Sequence, residues 1–262
     1  MGIISGVALP YLDHPRPVAF AHRGGAAHYP ENSWAAFQHS ARLGYAYLET
    51  DTRSTADGKL IAFHDADLGR ATDRSGLVRQ LTWKEISAAR IGGTEEIPLL
   101  EDLIGGFPGL RFNIDLKDAG TIRPLGDVLR RTDAWDRVCI TSFSGVRLLA
   151  VQRSLDRPVC LAVTPAAIAA VRYLGVPGAA IARRLARSGA QCAQVPRTIA
   201  TREFIRRSHE LGLDVHVWTL NTRADIERAL DLGADGVMTD EVVLLRDILA
   251  ERGQWHPRVP AL

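Results

Sequence analysis

Eight times between Val18 and Glu251 a short strand-like run is followed by a segment with helical spacing, and this alternation constrains the fold more than any other feature. The runs are Val18–His22, Tyr45–Thr52, Leu110–Lys117, Val138–Phe143, Val159–Val163, Ala190–Val195, Asp214–Leu220 and Asp235–Thr239. Strands separated by helices pair in parallel through crossover connections. Eight such units in 262 residues predict an α/β fold, a TIM (β/α)8 barrel. A doubly wound open sheet is the runner-up, since periodicity does not reveal closure. The whole chain, 1–262, reads as one barrel domain with a small insertion after strand two, over about residues 65–98. A short helix is expected there around Trp83–Ala89. The helix after strand one takes Asn32 or Ser33 as its N-cap and ends at Gly44. The helix after strand five is expected over Pro165–Arg187 with an interruption at Gly175–Gly178.

Composition narrows the function classes. Apolar residues are 46% of the chain, enough for a substantial core. A net charge of +2 is too small to make nucleic acid or an anionic membrane the main partner. The basic pairs Arg183-Arg184 and Arg206-Arg207 fit solvated helix faces. Cys139, Cys160 and Cys192 lie in apolar runs without CxxC spacing, which reads as free thiols in a reducing compartment and not as a zinc site. Residues Met1–Asp13 lack a basic n-region and a cleavage site, and Gly6 stands where a myristoylation signal needs Ser or Thr. No apolar run is long enough for a transmembrane segment, so a cytoplasmic protein is expected. Nothing in the sequence specifies an oligomeric state.

The chemistry gathers at the strand ends, where a barrel of this class builds its active site. Glu49 and Asp51 are two residues apart on a strand and project to one face. Two adjacent carboxylates repel unless a cation lies between them. Asp57-Gly58 is a tight-turn signal that folds the chain back and brings His64 to the pair. Strand one ends in His22-Arg23, and Asp115 and Lys117 share a face at the end of strand three. Trp218 ends strand seven and Thr239-Asp240 ends strand eight. Carboxylate oxygens suit a hard divalent cation, Mg2+ or Ca2+. A phosphate bridging that cation, Arg23 and Lys117 fits the cationic side chains. Two histidines can divide general acid and general base work. The alternatives are plainer: a structural Asp115–Lys117 ion pair, and Trp218 as core packing. Glu31 reads as capping or orienting a loop, Asp65 as orienting His64 or a turn, and Asp240 as orienting a terminal loop. His28, His39, His209 and His216 read as structural or exposed.

These residues together resemble the glycerophosphodiester phosphodiesterase family. The matching stretches are His22-Arg23-Gly24, Glu31-Asn32-Ser33, Glu49-x-Asp51, Thr55-x-Asp57-Gly58 and His64-Asp65. They continue through Asn113-x-Asp115-x-Lys117, Val217-Trp218-Thr219-x-Asn221 and Gly233-x-Asp235-Gly236-x-x-Thr239-Asp240, in order, from about Val18 to Leu249. The resemblance implies a TIM barrel with an insertion after strand two. It implies hydrolysis of a small-molecule glycerophosphodiester, such as glycerophosphocholine, to glycerol 3-phosphate and an alcohol. It further implies His22 and His64 as the catalytic pair and Arg23 and Lys117 on the phosphate, with Trp218 against the glycerol. The divalent metal would sit on Glu49, Asp51 and Asp115, the last being Asp where the family usually has Glu. A lysophospholipase D activity is the alternative, with the acyl chain in an apolar groove beside the mouth, lined by the Asp65–Pro98 excursion. A non-catalytic binding module is the second alternative, though both histidines and both carboxylates of the pair are present. A phosphosugar isomerase barrel would need a glycine-rich phosphate loop after strand seven or eight, and Gly233 precedes strand eight.

Overall fold

The computed structural model describes residues 9–174 and 190–258. In chain order its strands are β1 (Val18–Ala21), β2 (Tyr47–Ser54), β3 (Leu60–Ala62), β4 (Arg90–Ile91), β5 (Glu95–Glu96), β6 (Arg111–Leu116), β7 (Val138–Thr141), β8 (Cys160–Ala162), β9 (Ala190–Pro196), β10 (Asp214–Trp218) and β11 (Gly236–Thr239). β1, β2 and β6 to β11 pair in parallel around a ring, and β1 bonds to both β2 and β11. The ring is therefore closed, which excludes the open-sheet reading. β3 runs antiparallel to β2 and extends it beyond the barrel rim.

Burial on both faces hides a period-two alternation in the strand sequences. Leu48, Ile114, Ile140, Val215 and Val237 point outward and pack with helix residues such as Phe37, Leu103, Leu129 and Ile226. The opposite parity fills the barrel interior: Phe20, Tyr47, Cys139, Cys160, Cys192 and Met238 form a second cluster with Tyr11. Glu49, Asp51, Asn113 and Asp115 share that inward parity on β2 and β6. A third cluster, including Ile61, Phe63, Leu68, Val78, Ile86 and Ile97, gives the insertion a core of its own.

The loops leading into the helices are set by side-chain caps. Ser33, Ser144, Thr164, Thr201 and Thr222 each accept a backbone N–H three residues on, and start helices at Trp34, Gly145, Pro165, Arg202 and Arg223. Each cap contributes about 1 kcal/mol, so helix starts, and the loops above the barrel mouth, are specified locally. The helix starting at Pro165 passes into a π turn at Ala170–Leu174. The rest of the expected Pro165–Arg187 helix, the Gly175–Gly178 interruption and the Arg183-Arg184 pair lie outside the described residues, as does the chain before residue 9. Among the described residues no helix is long and apolar enough to cross a membrane.

The turn after β1 takes an uncommon backbone. Arg23, Gly24 and Gly25 have φ of 49°, 83° and 93° in succession. A Cβ on Gly24 would lie 2.9 Å from Phe37 Cδ1 and 3.0 Å from the Phe37 backbone nitrogen. Gly24→Ala is therefore expected to destabilise the fold by roughly 1–3 kcal/mol, from positive φ and a backbone clash together. A urea midpoint equal to that of the parent chain would contradict this.

Candidate active site

The polar inward residues and the turns beyond the strand ends surround a cavity of about 440 Å3 at the carboxyl end of the barrel. His22 and Arg23 (following β1), Glu49 and Asp51 (β2), His64 (after β3), Asp115 (β6), Lys117 (after β6) and Trp218 (β10) all line it.

Both histidines are held in the same way. His22 Nδ1 is 2.7 Å from Asp240 Oδ1, and His64 Nδ1 is 2.6 Å from Asp65 Oδ1. Despite its burial, the Asp240 carboxyl is held below its ordinary pKa by His22 and Asn221. The Asp65 carboxyl is held at about 2, chiefly by its hydrogen bond from Arg70 and then by His64. Both carboxylates are thus ionised acceptors at neutral pH, and each Nδ1 donates. The ring nitrogen left over in each case is Nε2. In His22 it lies 3.9 Å from Glu49 Oε2. Burial disfavours charge on the His22 ring, but Glu49 and Asp240 outweigh it and raise its pKa.

The carboxylates sit among cations. Glu49 is almost fully buried beside Asp51, and burial first, then the Asp51 charge, pushes its pKa up to about 7. The Arg23 backbone N–H donates to Glu49 Oε2 at 2.8 Å, a bond made possible by the left-handed turn. Asp51 is buried too, yet Lys117 and Arg23 draw its pKa below the usual range. Lys117 Nζ is 2.8 Å from Asp51 Oδ1 and 2.6 Å from Asp115 Oδ2. The ammonium therefore lies between the two carboxylates. Asp115 Oδ1 is buried without a hydrogen-bond partner, and burial raises the pKa of its carboxyl against the pull of Lys117. Arg23 Nε is 3.1 Å from Asp51 Oδ2, and its guanidinium also donates to Glu31 Oε1 at 3.1 Å.

Several positioning residues carry more than their sequence reading suggests. Asp240, read as orienting a terminal loop, instead holds His22. Asn221 fixes Asp240 in turn, donating from Nδ2 to Oδ2 at 2.7 Å and accepting its backbone N–H at 3.0 Å. Barrel closure explains the miss, because β11 neighbours β1 only once the ring closes. Glu31 joins two segments, accepting from Arg23 and from Arg70 of the insertion, while Arg70 also binds Asp65. Asn32, at φ 56°, donates to Asp51 Oδ2 at 3.0 Å and accepts from Thr50 Oγ1 at 2.8 Å. The Asp65 reading, as a group orienting His64, matches its position.

The cavity is polar on one side and apolar on the other. Trp218 and Phe143 meet edge to face with ring centroids 5.6 Å apart. Pro165, Ile168, Pro196 and Ile199, from segments after β8 and within and after β9, extend that wall. His64, just before the insertion, lines the cavity, but no residue of Asp65–Pro98 does, so the expected apolar groove in that segment is not where the apolar surface lies.

Residues 22–244 match the profile of the "Glycerophosphoryl diester phosphodiesterase family". A Mycobacterium tuberculosis protein named "Probable glycerophosphodiester phosphodiesterase 2" is 38% identical over 254 residues, covering 94% of this chain and 95% of its own. The human "Lysophospholipase D GDPD1" is 27% identical over 269 residues, covering 87% of this chain and 85% of its own. Among solved structures, a putative glycerophosphoryl diester phosphodiesterase from Silicibacter pomeroyi superposes with TM-score 0.79 at 23% identity, over 95% of this chain and 100% of that one. An Oleispira antarctica phosphodiesterase in complex with the product sn-glycerol-3-phosphate gives 0.76 at 21% identity, over 90% of this chain and 97% of that one. At these identities the two structures establish a shared barrel fold.

Proposed function

The chain belongs to the glycerophosphoryl diester phosphodiesterase family, and on that footing we propose that it hydrolyses glycerophosphodiesters to glycerol 3-phosphate and an alcohol, with a bound divalent cation and with His22 and His64 transferring the protons. The observation that carries this reading is the matched pair of imidazoles, each with Nδ1 on an ionised carboxylate, lining one cavity with three carboxylates, Arg23 and Lys117.

The donor set fits a hard cation. Glu49, Asp51 and Asp115 would hold it, since Asp115 Oδ1 has no partner and burial beside the Asp51 charge pushes the Glu49 pKa up to about 7, a carboxylate that a cation would satisfy. When bound, Mg2+ or Ca2+ supplies positive charge for the phosphoryl oxygens. With a cation on those carboxylates, the Lys117 ammonium, now paired to Asp51 and Asp115, would be free to bind a phosphate oxygen. Arg23 is anchored by Glu31 and Asp51, which aims its guanidinium with little entropy left to lose. One histidine takes the proton of the attacking oxygen and the other delivers one to the departing alkoxide. Trp218 offers its face to the glycerol. The attacking oxygen is water or the glycerol 2-hydroxyl, and a substrate without that hydroxyl distinguishes them.

Turnover measured across several glycerophosphodiesters, with metal titrated back after EDTA, tests the whole reading. Removing several kcal/mol of charge stabilisation is expected to slow turnover by about 100-fold or more. Full activity in EDTA would sink the metal assignment. A second reading, lysophospholipase D activity, is favoured by the apolar wall. Phe143 and Tyr173 line that side of the cavity while 68% and 73% exposed, a poor use of aromatic surface unless something covers it. Faster turnover of a lysophospholipid than of glycerophosphocholine would favour it, and the reverse would dismiss it.

A further inference from the structure

The barrel interior holds another polar cluster, outside the cavity lining and next to the Asn113–Gln194 amide pair. Cys139, Cys160 and Cys192 come from the consecutive strands β7, β8 and β9 and are wholly buried. Their sulfurs all lie within 4.8 Å of one another, and Cys139 Sγ is 3.8 Å from Cys192 Sγ. Among the described residues no other group of three potential ligands is so close. A tetrahedral site with metal–sulfur bonds of about 2.3 Å has sulfur–sulfur edges of about 3.8 Å.

Two more buried polar side chains lie near the thiols and have no polar side-chain partner elsewhere. His216, on the neighbouring strand β10, has zero exposure and, besides Cys192, no hydrogen-bond partner at either ring nitrogen. Cys192 is its foremost electrostatic neighbour. The Tyr11 hydroxyl is equally buried and unpartnered, and the ionisable groups around it are Cys139, Tyr47, Cys160 and Cys192. Leaving such groups unsatisfied is unfavourable, and packing alone would be better served by apolar side chains. Gln194 Nε2 meanwhile donates to Cys192 Sγ at 3.8 Å and to Asn113 Oδ1 at 2.6 Å.

We propose that Cys139, Cys160 and Cys192 hold a buried, structural zinc ion that ties β7 to β9 together, with the neighbouring His216 of β10 turning in to complete the tetrahedron, separate from the carboxylate site at the mouth. Three thiolates and one imidazole nitrogen are ligands of the softness zinc selects, whereas the carboxylates select hard cations. Binding forms three metal–sulfur bonds and one metal–nitrogen bond and releases the three thiol protons to solvent. The resulting site carries one net negative charge. The Gln194 N–H already donates to Cys192 Sγ at 3.8 Å and offsets part of it. With His216 as the fourth ligand every position is filled by protein, so the ion is structural. Because the ligands are fully buried, the ion is captured as the chain folds and then exchanges slowly. Spacing in the sequence carries no sign of this, since each ligand comes from a different strand.

The test is the full-length protein expressed in cobalt-supplemented medium and dialysed against EDTA, which strips the carboxylate site. One cobalt per chain should remain, with thiolate-to-cobalt charge-transfer bands in the near ultraviolet and the visible bands of tetrahedral Co2+. Zinc-grown protein should likewise retain one zinc, released only on denaturation. C160A/C192A should lose the retained metal and the bands, and E49Q should keep both. Absence of retained metal and of sulfur charge-transfer bands in the parent protein overturns the proposal, whether or not the cysteine variant folds. So does a spectrum that disappears in E49Q and survives in C160A/C192A.

Discussion

In the metal-free protein at pH 8, Glu49→Gln is expected to raise stability, and in the metal-loaded protein to lower turnover at least about 100-fold. Glu49 is almost fully buried, and its pKa stands at about 7 against 4.5 for a free carboxyl. A carboxyl raised on folding contributes stability that is complete below the unfolded value and is lost as pH rises through the folded one. Glu49 therefore costs stability progressively between about pH 4.5 and 7, by on the order of 1–3 kcal/mol once ionised. Asp51, whose pKa is lowered, acts in the opposite sense at lower pH, retaining its contribution above the ordinary carboxylate range. Gln keeps the shape and can still accept the Arg23 N–H. Thermal melts in EDTA should show E49Q above the parent at pH 8 and level with it near pH 4.5. Added Mg2+ or Ca2+ should stabilise the parent more at pH 8 than at pH 5, because the cation displaces the Glu49 proton at the lower pH. E49Q should respond weakly at both, with turnover down at least about 100-fold. Equal melting of the two proteins at pH 8 would mean that Glu49 is not strained by its neighbours.

The second large effect separates the two imidazoles. His22→Ala and His64→Ala are each expected to slow glycerophosphocholine turnover by about 10²–10⁴-fold, the range for a lost general acid or base. Their responses to the leaving group should differ. A nitrophenolate leaves without being protonated, whereas choline leaves as a poor alkoxide. The variant lacking the general acid should therefore regain most of its rate on a nitrophenyl phosphodiester, and the one lacking the base should not. Equal losses on both substrates for both variants would reject the division of labour. Near-normal turnover in either would remove that histidine from the chemistry. Asp240→Asn should resemble His22→Ala in kind, because it replaces the ionised acceptor that orients His22 Nδ1.

Much of this was legible in the chain because local rules carried it. Glu49 and Asp51 share a face by strand parity alone. The Asp57-Gly58 turn does fold β3 back on β2, with Gly58 at φ 77° and His64 delivered to the cavity. The helix starts follow from capping side chains three residues from the N–H they accept. Other readings failed where the deciding contact was distant. Asp240 meets His22 across 218 positions of sequence, and only barrel closure makes them neighbours. The apolar wall rises from segments after β7, β8 and β9 instead of from the insertion, because the insertion spends its apolar residues on its own core.

The sequence by itself determined the kind of fold, the order of its elements and the residue types brought to the barrel mouth. Periodicity, turn chemistry and motif spacing act over a few residues, and each is written in consecutive positions. Only the tertiary structure decided which charges meet which. It set Lys117 between Asp51 and Asp115, left Asp115 Oδ1 without a partner and raised Glu49 through burial. It also gathered Cys139, Cys160 and Cys192 from three strands into one buried cluster, with His216 buried on the next strand. Burial and Coulomb interaction depend on distance in space, and closing a ring of strands sets those distances independently of separation along the chain.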